Sequence, residues 1–133
     1  MAKPISDLAE LLRALDPELH EGVFVFSSVP LDTDLSRIDV IGTFRESEGI
    51  TVILPEEEAI RAGLPVLFRA AWITLTVESA FEAIGLTAAF STALGEAGIS
   101  CNVVAGSCHD HVFVPIDRAN DALEVIRDLQ RRN

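Results

Sequence analysis

Residues 72–116 read WITLTVESAFEAIGLTAAFSTALGEAGISCNVVAGSCHDHVFVPI, and the order of patterns in this stretch decides the fold. Trp72-Ile73-Thr74-Leu75-Thr76-Val77 alternates with period two, so Ile73, Leu75 and Val77 share one face of a strand. A loop of polar and small residues follows, Glu78 to Gly85. From Leu86 the period changes. Leu86, Ala89, Phe90, Ala93, Leu94 and Ala97 form one helical stripe, and its small residues permit close approach to a sheet. Gly98 ends this helix. Ile99 to Ala105 predicts a strand, Gly106 to His109 a turn, and His111 to Ile116 another strand. Asp117 is placed to cap a last helix that buries Ala119, Ala122, Leu123, Ile126 and Leu129. Arg127, Arg131 and Arg132 suit the negative end of that helix. The order β-α-β-β-α is a ferredoxin-like βαββαβ unit without its last strand. Its open edge needs a partner, supplied by the first half of the chain or by a second copy.

Upstream the pattern is a looser version of the same order. Ser6 is placed to cap a helix whose stripe is Leu8, Leu11, Leu12 and Leu15, ended by Pro17. Val23 to Phe26 is β-rich, and Leu31 to Arg37 reads as a loop. Ile38 to Phe44 and Ile50 to Leu54 form a hairpin around Arg45-Glu46-Ser47-Glu48-Gly49. Pro55 opens a short helix with Glu56, Glu57 and Glu58 in its first turn, and Gly63 stops it. A strand-like run, Val66 to Phe68, completes the half. The expected fold is α+β, two ferredoxin-like open-faced sandwiches in tandem, with antiparallel sheets and helices on one face. The division expected near Leu64 to Arg69 gives a first unit of residues 1–66 and a second of 67–133.

Composition narrows the function. The chain has 133 residues, 49% hydrophobic and 23% charged, which is ordinary for a globular protein with a real core. Its formal net charge of −11 opposes nucleic-acid and anionic-membrane partners. Met1 to Leu15 has no apolar core segment for a secretory signal, and no window reads as a membrane span. Cys101 and Cys108 are too few for a disulfide framework, and reduced thiols in a cytoplasmic protein are the simpler reading. No phosphate-binding loop, nucleophile elbow or dinucleotide fingerprint is present.

The run Leu75 to Pro115 resembles an ACT domain. The resemblance rests on Gly85-Leu86-Thr87-Ala88-Ala89-Phe90, Gly98-Ile99-Ser100-Cys101-Asn102-Val103 and His109-Asp110-His111-Val112-Phe113-Val114-Pro115. Thr43-Phe44-Arg45-Glu46-Ser47-Glu48-Gly49-Ile50-Thr51 is similar to the first half of a small bacterial family with two ACT-like units. The helix-Gly-Ile-strand portion is shared by all ACT domains, including those of aspartate kinases and arginine-sensing proteins. The resemblance implies a non-enzymatic regulatory fold that binds an amino acid between two units or between the chains of a homodimer. It places the ligand against the loop after the first strand, the start of the first helix and the facing second strand. In this chain those are Glu78, Ser79, Ala80, Phe81, Glu82, Ala83, Ile84, Gly85, Leu86 and Thr87, with Asn102 opposite.

Chemistry gives this loop a rationale. A helix start offers N–H donors to a carboxylate, and Glu78 or Glu82 offers an acceptor to an ammonium. The plain alternative is a strand-to-helix connection. Cys108-His109-Asp110-His111 gathers metal-capable side chains, with His109 and His111 on one strand face. His20 is the only other histidine and no CxxC pair exists, so hydrogen bonding at a hairpin is the alternative and no metal or other cofactor is expected. Cys108 and its neighbouring histidine diverge on a strand, against a thiol nucleophile. Arg45 could grip a carboxylate, or simply sit on a solvated turn. Two readings compete with a ligand-binding module: an oligomerisation or partner-docking protein without a small ligand, and a metal- or thiol-dependent enzyme.

Overall fold

A computed structural model of the chain describes residues 7–77, 80, 81 and 83–133. In chain order the elements are α1 (Leu8–Arg13), β1 (Pro17–Leu19), β2 (Phe24–Val29), β3 (Gly42–Arg45), β4 (Ile50–Pro55), α2 (Glu56–Ala62), β5 (Phe68–Leu75), α3 (Leu86–Glu96), β6 (Asn102–Ala105), β7 (Asp110–Pro115), a 3-10 turn (Ile116–Arg118) and α4 (Ala119–Arg131). The α+β, antiparallel tandem architecture expected from the sequence is what forms. The chain divides into two compact units. Residues 21–70 make the central one; residues 71–133, with the segment ending at His20, make the terminal one. The division falls inside β5, which runs unbroken where the sequence predicts separate strands at Val66–Phe68 and Trp72–Val77.

In the central unit β2 pairs antiparallel with β4, Phe24 opposite Pro55 through Val29 opposite Ile50. β3 lies on the other side of β4, and the start of β5 lies beside β2. Val25, Val29, Val52, Leu54 and Ala59 form the buried core. The expected strand from Ile38 begins only at Gly42, because Leu35, Ile38 and Val40 fold onto that core instead of joining the sheet. Gly49 closes the β3–β4 turn with its carbonyl accepting the Glu46 N–H at 2.8 Å. A Cβ at position 49 would lie 2.7 Å from the Val29 carbonyl oxygen, so only glycine fits. Two of the three acids opening α2 do more than complement its dipole. Arg69 holds Glu56 through both carboxylate oxygens, at 2.5 and 3.1 Å, and keeps its carboxyl below the usual range. Arg61, helped by the Asp39 N–H, pulls Glu58 down to about 2.

The terminal unit carries the larger helices. β6 pairs with β7, Asn102 opposite Phe113 through Ala105 opposite Asp110, and β7 neighbours β5. β1 supplies the strand that the βαββα order lacks, pairing antiparallel with β5 from Pro17 opposite Leu75 to Leu19 opposite Ile73. The core joins Leu11, Leu12 and Leu15 to Ile73, Leu75 and Val77, to Leu86, Phe90 and Leu94, and to Ala122, Leu123, Ile126 and Leu129. Ala97, assigned to the α3 stripe by its spacing, is exposed because the helix stops at Glu96.

Both expected N-caps need correction or replacement. Ser6 lies outside the described residues, and α1 is capped by the Asp7 carboxylate, which accepts the Glu10 N–H at 3.0 Å. Asp117 is not the cap of α4: Pro115 leads into the 3-10 turn, and α4 starts one turn later at Ala119, with no side-chain cap among the described residues. Arg118, just before that start, donates to the Ala97 and Gly98 carbonyls at 3.3 and 3.4 Å, satisfying acceptors left open beyond α3.

Candidate functional site

The loop between β5 and α3 leaves Glu78, Ser79 and Glu82, three expected site residues, outside the described set. Of the rest, Ala80 and Ala83 are half-buried and joined by an Ala83 N–H to Ala80 carbonyl bond of 3.0 Å. Phe81 and Ile84 are 73% and 86% exposed, which is a large solvent contact for apolar side chains. Gly85 starts α3 in the left-handed region, φ +97° and ψ −14°. Leu8 of α1 packs against it, since a Cβ at position 85 would meet Leu8 Cδ2 at 3.1 Å. Leu86 is buried and Thr87 exposed. α3 has no side-chain N-cap, and its first turn carries no acidic residue among the described residues. Helix geometry leaves its first amides without intrahelical acceptors.

Leu86 and Thr87, at the start of α3, line a small pocket of about 60 Å³ together with Ala80, Phe81, Ala83, Ala105, Gly106 and Asp110. Asn102, expected opposite the loop, is exposed at the other end of β6 and does not line it. Ala105, Gly106 and Asp110 occupy that place. Asp110 is 5% exposed, at the first position of β7, on the face that also buries Val112 and Val114. An acidic residue in phase with two buried valines is the sequence signal for this residue, and the expected site omitted it. A wider depression of about 380 Å³ in the central unit, lined by Glu21, Gly22, Val23, Phe24, Pro55, Glu56 and Glu57, has no counterpart among the expected sites.

The side chains of the histidine segment have separate surroundings. Cys108 is exposed, and no cluster of three metal-capable side chains forms among the described residues. His109 has its Nδ1 buried with no hydrogen-bond partner among the described residues. His111 instead turns to β5, where the Trp72 Nε1–H donates to its Nδ1 at 3.1 Å. An indole N–H only donates, so this nitrogen accepts and the proton of neutral His111 sits on Nε2. Thr74 Oγ1 is 3.1 Å from the same nitrogen and 2.6 Å from His20 Nε2. The His20 ring lies flat on Trp72, centroids 3.6 Å apart and planes 9° apart. Burial pushes both imidazoles below their ordinary value of 6.5. His109 and His20 add to the effect on His111 and Asp110 opposes it, while Glu18 opposes it on His20. The Arg45 turn is a hairpin end, with Thr51 donating to the Glu46 carboxylate at 2.6 Å and Ser47 to that of Glu48 at 2.7 Å.

Comparison with known proteins adds a frame. ACT-domain models match residues 3–71 and 68–128. A Vibrio cholerae protein of unknown function is 46% identical, covers 92% of this chain and 95% of its own, and superposes with a TM-score of 0.84. An Agrobacterium tumefaciens protein is 14% identical, covers 86% and 87%, and has a TM-score of 0.66. The regulatory subunit of aspartate kinase from Thermus flavus is 11% identical, covers 85% and 95%, and has a TM-score of 0.63, a likeness of fold. No curated protein matches the sequence. Among the described residues, no helix is long and apolar enough to cross a membrane.

Proposed function

This chain belongs to the ACT-domain family, with two such units in tandem, and on that premise we propose that it is a cytoplasmic, non-enzymatic regulatory module, homodimeric, that binds a small amino acid beside the start of α3. The observation that carries the reading is the pocket between the α3 N-terminus and Asp110. It pairs N–H donors suited to a carboxylate with a buried carboxylate suited to an ammonium. Asp110 takes the acceptor role expected of Glu78 or Glu82. The walls are small, Ala80, Ala83, Ala105 and Gly106. A water-sized site needs roughly 10–15 Å³. The 60 Å³ here therefore admits a few heavy atoms, the scale of glycine, alanine or serine.

A thermal-shift screen of the twenty amino acids on ligand-stripped protein tests this. A ligand at a hundred times its dissociation constant adds roughly 2.7 kcal/mol of stability, a clear rise in Tm. The expected hits are the smallest amino acids, and Asp110→Asn is expected to abolish their shift. Silence across the whole screen in folded protein overturns the reading. A docking protein without a small ligand is the second reading, favoured by the exposure of Phe81 and Ile84. It predicts that silence, and a loss of partner binding in Phe81→Ser and Ile84→Ser.

A further inference from the structure

We propose that the His20–Thr74–His111 chain, seated on Trp72, is an acid-released clasp that holds the N-terminal strand β1 on the edge of β5. β1 is only three residues long, and its first, Pro17, has no N–H to give to the ladder. Its two ends are held differently. Before the strand, Gln130 of α4 donates to the Arg13 carbonyl at 2.9 Å and accepts the Asp16 N–H at 3.2 Å, and the Thr76 hydroxyl donates to the Asp16 carbonyl at 2.8 Å. None of these bonds depends on a group that titrates near neutrality. After the strand, the anchor is His20: its N–H donates to the Trp72 carbonyl at 2.9 Å, its ring covers the indole, and its Nε2 meets Thr74.

Proton bookkeeping shows why acid opens this end. In the neutral arrangement Trp72 donates to His111 Nδ1, which must be unprotonated. A first proton on that nitrogen sets donor against donor at Trp72. It is then tolerated only by donation to Thr74 Oγ1, whose own proton turns to His20 Nε2. A second proton, on His20, leaves one hydroxyl oxygen between two charged N–H donors and its own hydrogen directed at neither ring. Among the described residues, the charged and titratable groups facing His111 are His20 at the end of β1, and His109 and Asp110 beside it on its own strand and turn, while β5 contributes Trp72 and Thr74. The Gly106 turn lies against its Nε2 edge, where a Cβ at position 106 would come within 3.3 Å. Burial lowers both imidazoles; at His111 the His109 and His20 rings add to it against Asp110, and at His20 Glu18 opposes it. Because both imidazoles are shifted down, the clasp is intact above 6.5 and is lost as pH falls below that value.

The chain has one tryptophan and no tyrosine, so indole fluorescence reports this site alone. In the full chain titrated from about pH 8 to about pH 5, the emission of Trp72 is expected to pass through a transition with its midpoint below 6.5. Over the same range the His20 amide is expected to lose about tenfold or more of its exchange protection, measured against the buried α3 amides as internal reference. His111→Asn keeps a side-chain acceptor without a titrating ring and is expected to remove the transition. NMR titration of the three imidazoles in the unsubstituted protein gives the same answer without a variant, with His111 expected below 6.5. A flat fluorescence profile, a His20 amide whose relative protection is unmoved by acid, an unchanged transition in folded His111→Asn, or a His111 titrating at or above 6.5 would each overturn the clasp.

Discussion

Alanine in place of Phe90 is expected to lower the unfolding free energy by about 3–5 kcal/mol. Phe90 is fully buried at the middle of α3, in the core that also receives α1, α4 and the inward faces of β5 and β7. The α3 turns before and after it are fixed by Leu86 and Leu94, which are also buried, so the helix cannot roll to fill the void. A cavity of that kind costs both the lost transfer energy of the ring and the contacts of its lining. Natural domains have only about 5–15 kcal/mol in hand, so a large share of the total is at stake. Ile60→Ala is the control. It removes an apolar side chain of similar class from α2, but Ile60 is 71% exposed, and a change within about 0.5 kcal/mol is expected there. Urea denaturation separates the two, with a lower midpoint and an unchanged slope for Phe90→Ala. A cost below about 1 kcal/mol at Phe90 would mean that the stripe read from its spacing does not carry this core.

Features set by local period were legible in the sequence, and features set by distant pairing were not. The alternation at Ile73, Leu75 and Val77 and the spacing of Leu86, Phe90 and Leu94 each dictate one apolar face, and all six residues are buried. β5 is less legible, because the sequence places a unit boundary near Leu64 to Arg69 and separate runs at Val66–Phe68 and Trp72–Val77. The Arg69 charge is met by Glu56, thirteen residues earlier, which lets the strand continue through it. Pro17 reads as the end of a helix, which it follows, but nothing local says that Pro17-Glu18-Leu19 pairs with a strand more than fifty residues on. The histidines show the same limit. Taken alone, Cys108-His109-Asp110-His111 looks like a metal-capable run. What fixes His111 is Trp72, 39 residues away, and what fixes His20 is Thr74, 54 residues away. At the pocket the loop and helix start follow from the chain order. Asn102 was expected from the family pattern, whereas Asp110 is placed there by the β6–β7 register, which sets it opposite Ala105.

Gly85→Ala is expected to cost about 1–3 kcal/mol and to abolish the amino-acid response together. Two effects add. The backbone at position 85, φ +97°, lies where an L-residue is strained by its own Cβ. That Cβ would also press on Leu8, at 3.1 Å from Cδ2 and 3.6 Å from Cδ1. The two are separable, because Leu8 is 38% exposed and its side chain can be removed at modest cost. In the double variant Leu8→Ala/Gly85→Ala the steric part disappears and the conformational part remains, so the cycle measures their coupling directly. The functional consequence follows from where the strain is relieved. Gly85 sits immediately before the first amides of α3, and its carbonyl accepts the Ala89 N–H at 2.9 Å. A backbone that relaxes toward negative φ there displaces Leu86 and Thr87, which line the pocket with Asp110. The binding loss is therefore expected to persist in the double variant even as part of the stability returns. A Gly85→Ala protein with undiminished stability and an intact thermal response would show that neither the left-handed helix start nor the amides behind it hold the ligand.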